Sequence, residues 1–410
     1  MTNSAPTPLD PVELTALEVD KAVQVIVRHA ADMKASDLFV LTEEDSVRIA
    51  ARRLGIVETL VTVSRDYGKH VIIHFKAMAG MDISEHRRPA DGRRIDVFDG
   101  RKMDLRINCI ATLYGEDIAI RMWDHDEGLR GLDELGISSK DLKKLTTMRQ
   151  GPSGLILVTG PTGTGKTTTL YASLETLNDG TRKINTLEDP IEYAIAGIRQ
   201  SQVFPKIGLG FSDLLRSILR QAPDVIMVGE IRDEDTAHTA VRAANSGHLV
   251  LATLHSPVAA SAVQSMLALG SSPFFLSSCL LGVIAQRLVR TLCPQCRVSY
   301  DVSESPQTFE EIRPLLEEGE GQAIYGPSGC PECFQQGYSG RTGLFEVMTM
   351  NQEIRRLVAA SRPAAEIQQA AVKAGMTEFH RSALVKVAKG VTSTEEILRD
   401  VPLEHLGLED

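Results

Sequence analysis

The chain has 410 residues, 43% of them hydrophobic and 24% charged, with a formal net charge of −10. This length exceeds that of one ordinary hydrophobic core, so two or three soluble globular domains are predicted. The acidic balance argues against a broad nucleic-acid-binding surface, which is normally basic. No basic and apolar leader opens the sequence, so no signal peptide is predicted, and the most apolar stretch, residues 274–285, is too short to cross a bilayer.

The first part of the sequence predicts a small α+β domain at 13–125, after a start at 1–12 that is rich in Pro, Ser and Thr and is expected to be disordered. Its clearest feature is a β-hairpin in which Ile95 and Val97 alternate with polar residues on one arm. The predicted elements are helices at 12–35 and 66–79, strands at 37–41, 46–50 and 117–123, and a hairpin that turns at Asp99-Gly100 and carries Met103, Leu105 and Ile107 on its second arm.

Residues 126–150 are rich in charge and are predicted to link this domain to a second one at 151–292. In the second domain the short apolar runs LILVTG, INTLED, DVIMVGE and HLVLATLHS alternate with helical stretches. Continuous apolar strands are typical of parallel sheets that helices cover on both faces. The sequence therefore predicts an α/β fold, followed by a cysteine-containing module at 293–345 and a helical region at 346–410 that ends in an acidic tail.

Between the first of these strands and the next helix the sequence reads GPTGTGKT, which matches G-x-x-x-x-G-K-[ST] in full. The glycines let backbone N–H groups curl around phosphate oxygens, and the helix N-terminus adds a positive dipole. Lys166 is expected to bridge the β- and γ-phosphates of ATP, and the Thr167 hydroxyl to bind Mg²⁺. The predicted nucleotide-binding residues are Gly160, Pro161, Thr162, Gly163, Thr164, Gly165, Lys166, Thr167 and Thr168.

An acidic partner for the Mg²⁺ site is expected at the carboxyl end of a neighbouring strand, where ligands bind in open α/β sheets. Glu230 follows the apolar run VIMV at this position and is the candidate that holds a Mg²⁺-bound water. Asp224 lies at the other end of the run and is expected to be structural. His248 and His255 bracket another buried strand and are candidate phosphate sensors, since neutral imidazole can donate to phosphate or hold a carboxylate.

The segment INTLEDPIEY places Glu188, Asp189 and Glu192 within five residues, and Pro190 prevents continuation of the chain into a helix. One of these carboxylates is a candidate base that positions or deprotonates the attacking water. A solvated acidic turn is the alternative, and it would be preferred if the phosphate loop were absent.

Four of the six cysteines form two C-x-x-C pairs, which suit a tetrahedral structural Zn²⁺ in a reducing compartment. The alternatives are four independent thiols or a redox pair. The isolated Cys109 and Cys279 are expected to be small buried apolar residues. The predicted zinc ligands are Cys293, Cys296, Cys330 and Cys333.

The segments GPTGTGKT, TLEDPIEY, VGEIRDEDTAHTAVRAANSGHLVLATLH and IAQRLVRTLCPQC occur in the order found in type II secretion and type IV pilus-assembly ATPases, which the chain resembles over roughly residues 35–390. The resemblance implies a RecA-like motor domain, a preceding PAS-like domain and a homohexameric ring. It also implies a cytoplasmic protein, peripheral to the inner membrane, that hydrolyses ATP and acts through an inner-membrane platform protein to extend a pilus or pseudopilus.

The resemblance also implies roles for individual residues at the matching motif positions. The resemblance implies that Glu230 is the Walker B glutamate and Glu192 the catalytic glutamate, and that His248 and His255 form the histidine box. The segments DGRRIDV and KMDLRINCIATLYGEDIAIRM resemble those whose arginines reach the γ-phosphate. This implies the same charge-stabilising role for Arg93, Arg106 and Arg121, although exposed strand arginines are usually only solvated.

Two features depart from the family pattern. Phe39 stands where histidine is expected, and the next strand lacks the usual R-x-D-G turn. Only about 20 to 35 residues precede the ASD segment, too few for the extra N-terminal domain of many extension ATPases. This short segment is consistent with a retraction or DNA-uptake ATPase of the same fold. The tetracysteine insertion favours assembly or secretion, because the family's retraction motors lack it.

The sequence disfavours two further functions. A RecA-like nucleic-acid translocase is disfavoured by the net charge and by the absence of a basic, aromatic-rich stretch. A degenerate scaffold that does not hydrolyse ATP is disfavoured by the intact residues Lys166, Thr167, Glu192 and Glu230.

Overall fold

A computed structural model describes residues 9–98, 100–124 and 130–402 of the chain. The chain divides into two compact units, one of Met1–Gly128 with Gly329–Tyr338 and one of Leu129–Ser328 with Ser339–Asp410. No helix among the described residues combines the length and the apolar composition that a membrane span requires.

The first unit is an antiparallel sheet with two longer helices, as an α+β domain requires. The spatial order of its strands is β3-β2-β1-β6-β5-β4. The strand β3 is not among the predicted elements. The elements are α1 (Pro11–Thr15), α2 (Val19–Asp32), β1 (Asp37–Thr42), β2 (Ser46–Arg53), β3 (Ile56–Ser64), α3 (Arg65–Met78), β4 (Ala90–Phe98), β5 (Arg101–Ala111) and β6 (Glu116–Asp124).

The core of this unit lies between the helices and one face of the sheet. The predicted apolar face of α2 is confirmed, since Val23, Ile26, Val27 and Ala30 are all buried. Regular structure begins at α1, before the end of the segment 1–12 that is expected to be disordered. Asp10 caps this helix by accepting a 2.7 Å hydrogen bond from the Val12 amide. The rest of the segment predicted to be disordered, 1–8, lies outside the described residues.

The predicted hairpin is formed by β4 and β5, in which Phe98 pairs with Arg101 across a two-residue loop. Gly100 has a φ of 83°, which a glycine adopts without strain, while Asp99 lies outside the described residues. The two arms differ in burial. Met103, Leu105 and Ile107 of β5 are buried, whereas Ile95 and Val97 of β4 are exposed.

The second unit is an α/β structure, and its predicted strands are confirmed in the order expected. The elements are α4 (Ser139–Gln150), β7 (Gly154–Thr159), α5 (Lys166–Leu177), β8 (Ile184–Glu188), β9 (Arg199–Gln202), α6 (Phe211–Ile218), β10 (Val225–Val228), α7 (Glu234–Asn245), β11 (Leu249–Leu254), α8 (Ala259–Ala268), α9 (Pro273–Cys279), β12 (Leu280–Leu292), β13 (Val298–Asp301), β14 (Ala323–Gly326), β15 (Tyr338–Thr349), α10 (Gln352–Ala359), α11 (Ala364–Lys373), α12 (Phe379–Ala388) and α13 (Thr394–Asp400).

The main sheet of this unit has the order β15-β12-β7-β11-β10-β8-β9, and the pairings from β12 through β9 are parallel. Alternate residues of β7 enter two different cores: Leu155 and Leu157 lie in one, Ile156 and Val158 in the other. The sheet is therefore covered on both faces, which explains its continuous apolar strands. The carboxyl ends of the parallel strands share one edge.

The described part of the segment predicted to be a linker, residues 130–150, has its own secondary structure. Residues Leu132–Leu135 form a 3₁₀ helix and α4 follows it, and the side chains of Leu132, Leu145 and Met148 are buried in the core beside β7. The short C-terminal helices α10 to α13 agree with the helical region that the sequence predicts, while the acidic tail at 403–410 lies outside the described residues.

Candidate nucleotide site and its neighbours

The phosphate loop joins the end of β7 to the start of α5, as the motif predicts. Gly160, Gly163 and Gly165 have φ values of 146°, 81° and 86°, a region of backbone conformation that favours glycine. Thr164 is buried and donates to the Pro161 carbonyl at 2.9 Å, which closes the turn. The loop therefore ends at the N-terminus of a twelve-residue helix, where backbone N–H groups and the helix dipole favour an anion.

Lys166 lies at the first position of α5, and its ammonium points back into the loop. The Nζ atom donates to the carbonyls of Gly160 at 2.7 Å and Pro161 at 3.0 Å, and lies 3.4 Å from Nδ1 of His255. Burial lowers the pKa of this ammonium from its ordinary value, and the nearby Glu230 carboxylate opposes the shift. Thr167 follows at an exposed position in the same helical turn.

Glu230 lies just beyond the carboxyl end of β10, within a chain of alternating charges. One carboxylate oxygen is 2.8 Å from Nε2 of His255, and the other is 2.6 Å from the Arg232 guanidinium. Arg232 also reaches Asp189 at 3.4 Å. A neutral His255 with its proton on Nε2 would donate to Glu230 and accept from Lys166. The predicted loop lysine, Walker B glutamate and one histidine are therefore brought together.

The Glu230 carboxyl is biased toward its ionised form. Burial alone would raise its pKa, but the hydrogen bond and charge of Arg232, with the charge of Lys166, outweigh that effect and lower the pKa. An ionised carboxylate at this position is the form that an Mg²⁺-bound water requires.

The acidic loop separates its two glutamates into different environments. Glu188 ends β8 and is only 3% exposed. Its carboxylate accepts hydrogen bonds from the Tyr171 hydroxyl, from Thr186 at 2.5 Å and from Gln200 at 3.0 Å. Burial, followed by the charge of Glu188, raises the pKa of Tyr171, so the phenol stays a proton donor. The side chain of Glu192, four residues later, is half-buried.

The two histidines do not share one site. His255 follows the carboxyl end of β11 and lies beside Lys166, whereas His248 precedes the other end of that strand. The His248 carbonyl accepts from Gly154, the first residue of β7, and its ring lies 3.0 Å from the Ala243 carbonyl. A six-residue strand is about 20 Å long, so His248 does not approach the phosphate loop of its own chain. The structure therefore brings only His255 to the phosphate loop of its own chain, and the role of His248 as a phosphate sensor stays a prediction.

Several partners in this site carry no motif that sequence reasoning used. Tyr171 and Gln200 hold Glu188, Arg232 holds Glu230, and Gln286 contacts the phosphate loop from β12. The sequence indicates these partners only weakly, through their closeness to motif residues. Arg232 lies two residues after Glu230, and Tyr171 lies four residues after Thr167 on the same helix. Asp224 is structural as predicted, since its carboxylate accepts from the Lys183 amide at 2.7 Å.

In the first unit the three predicted arginines occupy one row across three strands. Arg93 of β4 pairs with Arg106 of β5, and Arg106 pairs in turn with Arg121 of β6. Residues directly opposite one another in adjacent strands project from the same face. Arg93 lies 2.6 Å from the buried Asp104, and Arg121 lies 3.8 Å from Asp37. The side chains of Arg93 and Arg121 are 54% and 68% exposed.

The cysteine pairs come together as the spacing predicts. The sulfur atoms of Cys293, Cys296, Cys330 and Cys333 all lie within 4.8 Å of one another. Those of Cys330 and Cys333 are 3.7 Å apart, close to the edge of about 3.8 Å in a tetrahedron with Zn–S bonds of about 2.3 Å. The backbone N–H groups of Cys330 and Gly337 donate to the Cys333 sulfur at 3.2 Å, which suits a thiolate. The four residues therefore fit a structural zinc ion.

The other two cysteines are buried and isolated, as predicted. Cys109 is 1% exposed and Cys279 is 6% exposed. Burial raises the pKa of Cys109 to about 12 and that of Cys279 to about 11, so both remain neutral thiols at physiological pH.

Comparison with known proteins identifies relatives over most of the chain. The sequence model of the type II/IV secretion system protein family matches residues 14–399. Type II secretion system protein E of Pseudomonas aeruginosa is 41% identical over 379 residues, which are 92% of this chain and 74% of that protein. The type IV pilus assembly ATPase TfpB of Acinetobacter baylyi is 39% identical over 384 residues, 93% of this chain and 65% of that protein.

Solved structures show the same fold at lower identity. The Legionella pneumophila ATPase DotB aligns with a TM-score of 0.66 at 21% identity, covering 96% of each chain. The pilus retraction motor PilT with bound ADP aligns with a TM-score of 0.63 at 24% identity, covering 92% of this chain and 96% of that one. The chain therefore belongs to the type II/IV secretion system protein family, the ATPases of type II secretion and type IV pilus assembly.

Proposed function

We propose that the protein is a hexameric motor, peripheral to the cytoplasmic face of the inner membrane, that hydrolyses ATP to drive assembly of a type IV pilus or a type II secretion pseudopilus. The observation that carries the proposal is the meeting of Lys166, His255 and Glu230 at one sheet edge in a chain of this family. A platform protein of the inner membrane is the proposed partner.

In this proposal the nucleotide phosphates lie on the N–H groups of the loop at the start of α5. Lys166 would exchange its carbonyl partners for the β- and γ-phosphates, and Thr167 and Glu230 would hold Mg²⁺, Glu230 through a bound water. Magnesium would neutralise phosphate charge. The residues fit this ion, because Thr167 is exposed in the first turn of α5 and the pKa of Glu230 is lowered, which favours its carboxylate form. His255 connects Lys166 to Glu230 and can exchange one of these contacts for the γ-phosphate.

Glu192 is proposed as the general base. Its half-buried side chain follows the strand end that carries Glu188, so a water can reach it. Glu188 is a poorer candidate because it is only 3% exposed, so an attacking water cannot readily reach its carboxylate. Its proposed role is to fix the position of the loop that contains Glu192, whose amide lies 3.4 Å from the Tyr171 hydroxyl.

The arginine row of the first unit is proposed to stabilise the charge that develops on the γ-phosphate. Arg93, Arg106 and Arg121 project from one face, so a triphosphate that meets this face would meet several guanidinium groups at once. In a ring, one subunit's row can complete a neighbour's phosphate site, and this arrangement would make hydrolysis depend on assembly.

The motor proposal can be tested with purified protein and in the source organism. Purified protein should hydrolyse ATP, and Lys166→Ala should lose nucleotide binding because it removes the phosphate-binding cation. In the source organism, deletion should abolish filaments or secretion, and the protein should co-purify with a platform protein. Additional filaments that fail to retract would instead indicate a retraction motor, and ATPase activity stimulated by DNA would indicate a translocase.

A separate measurement tests the zinc proposal. We expect about one zinc per chain in protein purified without added metal, because binding energy in small thiolate sites is folding energy. Cys296→Ser should release the metal and destabilise the module, whereas Cys279→Ser, at a buried cysteine outside the cluster, should retain it. Absence of zinc, with all four thiols freely titratable in the native protein, would contradict the proposal.

A further inference from the structure

Gln286 lies where the strand β12 passes beside the phosphate loop. Ala285 pairs with Thr159, the last residue of β7, so Gln286 is opposite the first loop glycine. A Cβ atom on Gly160 would lie 2.4 Å from the Gln286 carbonyl oxygen, so the loop and β12 fit together only through glycine at this position. The backbone of β12 thus forms one wall of the loop.

The Gln286 side chain joins the loop to the helix that follows it. Its Nε2 donates to the Thr164 carbonyl at 2.7 Å, and its Oε1 accepts from the Thr169 hydroxyl at 2.8 Å. The orientation of the amide is set because a carbonyl oxygen only accepts. Gln286 and Thr169 are 2% and 1% exposed, so water cannot readily replace either hydrogen bond.

We infer that Gln286 is a positioning residue of the nucleotide site, which holds the phosphate loop in its anion-binding form through the Thr164 carbonyl and the Thr169 hydroxyl. A fixed carbonyl at Thr164 orients the following N–H groups outward, toward the phosphate position, before nucleotide arrives. Preorganised donors bind an anion more tightly because less ordering is required on binding. The inference rests on the proposed ATPase function.

The test uses the full chain and a fluorescent ADP with Mg²⁺ as the probe. Gln286→Glu keeps the side-chain size but places a carboxylate oxygen against the Thr164 carbonyl. We expect it to raise the Kd for ADP by about tenfold or more, with most of the kinetic loss in KM for ATP and little in kcat. Thr169→Val removes the other hydrogen bond and should also raise the Kd, and Thr169→Ser should recover most of the loss. These variants keep the test valid if Gln286→Glu does not fold.

A matched control residue lies outside β12 but donates a hydrogen bond to the same strand. The hydroxyl of Thr392 is fully buried and donates to the Arg290 carbonyl of β12 at 2.8 Å. Thr392→Val should lower the Tm but leave the Kd for ADP unchanged, because it removes a buried hydrogen bond away from the loop. The inference is overturned if Gln286→Glu and Thr169→Val lower the Tm in the same way and keep the Kd within about twofold of the wild type.

The two proposals fail differently. A wild-type protein that binds ADP but does not hydrolyse ATP would contradict the motor, while the Kd values would still test Gln286. A wild-type protein that binds no nucleotide would contradict both.

Discussion

The two units present their functional charges in opposite ways. In the second unit the Glu230 carboxylate lies between two groups, His255 on one side and the Arg232 guanidinium on the other. His255 in turn lies 3.4 Å from the Lys166 ammonium, so the cations and the anion form one connected chain. In the first unit, arginines stand at consecutive register positions on β4, β5 and β6. Like charges directly opposite one another destabilise a sheet. Asp104 and Asp37 offset part of this cost.

This difference indicates where each site finds its complement. The phosphate site balances its charges inside one unit, so it can form in a single chain. A row of guanidinium groups is best complemented by an anion of several charges, such as the triphosphate that the phosphate site of the second unit is proposed to bind. We therefore expect the phosphate site to control nucleotide binding and the arginine row to control the rate of hydrolysis.

The strongest test of this division is Arg121→Ala. A transition-state arginine contributes roughly 10³ to 10⁵ in rate, so the variant should lose nearly all steady-state ATPase activity while its affinity for ADP changes little. Mixing inactive Arg121→Ala with inactive Lys166→Ala subunits should restore some activity, because one mixed interface regains both groups. Wild-type activity should rise with protein concentration as the ring forms.

Arg94→Ala provides the matched control. Arg94 neighbours Arg93 on β4 but projects from the opposite face, where it pairs with Asp96. The Arg94→Ala variant should therefore retain ATPase activity. If Arg94→Ala and Arg121→Ala are equally inactive, or if verified mixed rings recover nothing, then the row does not act across subunits as described.

A test within the second unit compares its two glutamates. Glu192→Gln should leave nucleotide affinity nearly intact and lower kcat by about 10² to 10⁴, the usual contribution of a general base. Glu188→Gln should retain much more activity, since an amide oxygen can keep the hydrogen bonds from Thr186 and Gln200. Single-turnover hydrolysis measures both. The reverse ranking would assign the base to Glu188.

The smallest expected effect concerns pH. Although burial opposes it, the Arg232 guanidinium lowers the pKa of Glu230, so its removal should raise that pKa. Protonation of Glu230 weakens a Mg²⁺ site, so Arg232→Ala should lose ATPase activity at a higher pH than the wild type as the pH falls. Arg232→Lys should restore part of the difference. An acid limb of the kcat/KM profile that does not move would show that Arg232 does not control this ionisation.

Features with a local physical cause were predictable from the sequence. The phosphate loop follows from glycine spacing between a strand and a helix, and the parallel strands follow from their continuous apolar runs. Each C-x-x-C turn is also a local feature, whereas the meeting of the two pairs, 33 residues apart in the sequence, depends on the tertiary structure. In the local cases neighbouring residues in the sequence largely determine the structure, because the constraint acts over a few backbone dihedrals.

Only the tertiary structure decided the contacts that join distant segments. The register of β4, β5 and β6 aligned the three arginines, and the direction of β11 separated His248 from His255. Gln286 reached the phosphate loop through the pairing of β12 with β7, across more than 100 residues of sequence. Register, strand direction and sheet order arise from the packing of the whole core, and no local pattern of residues encodes them.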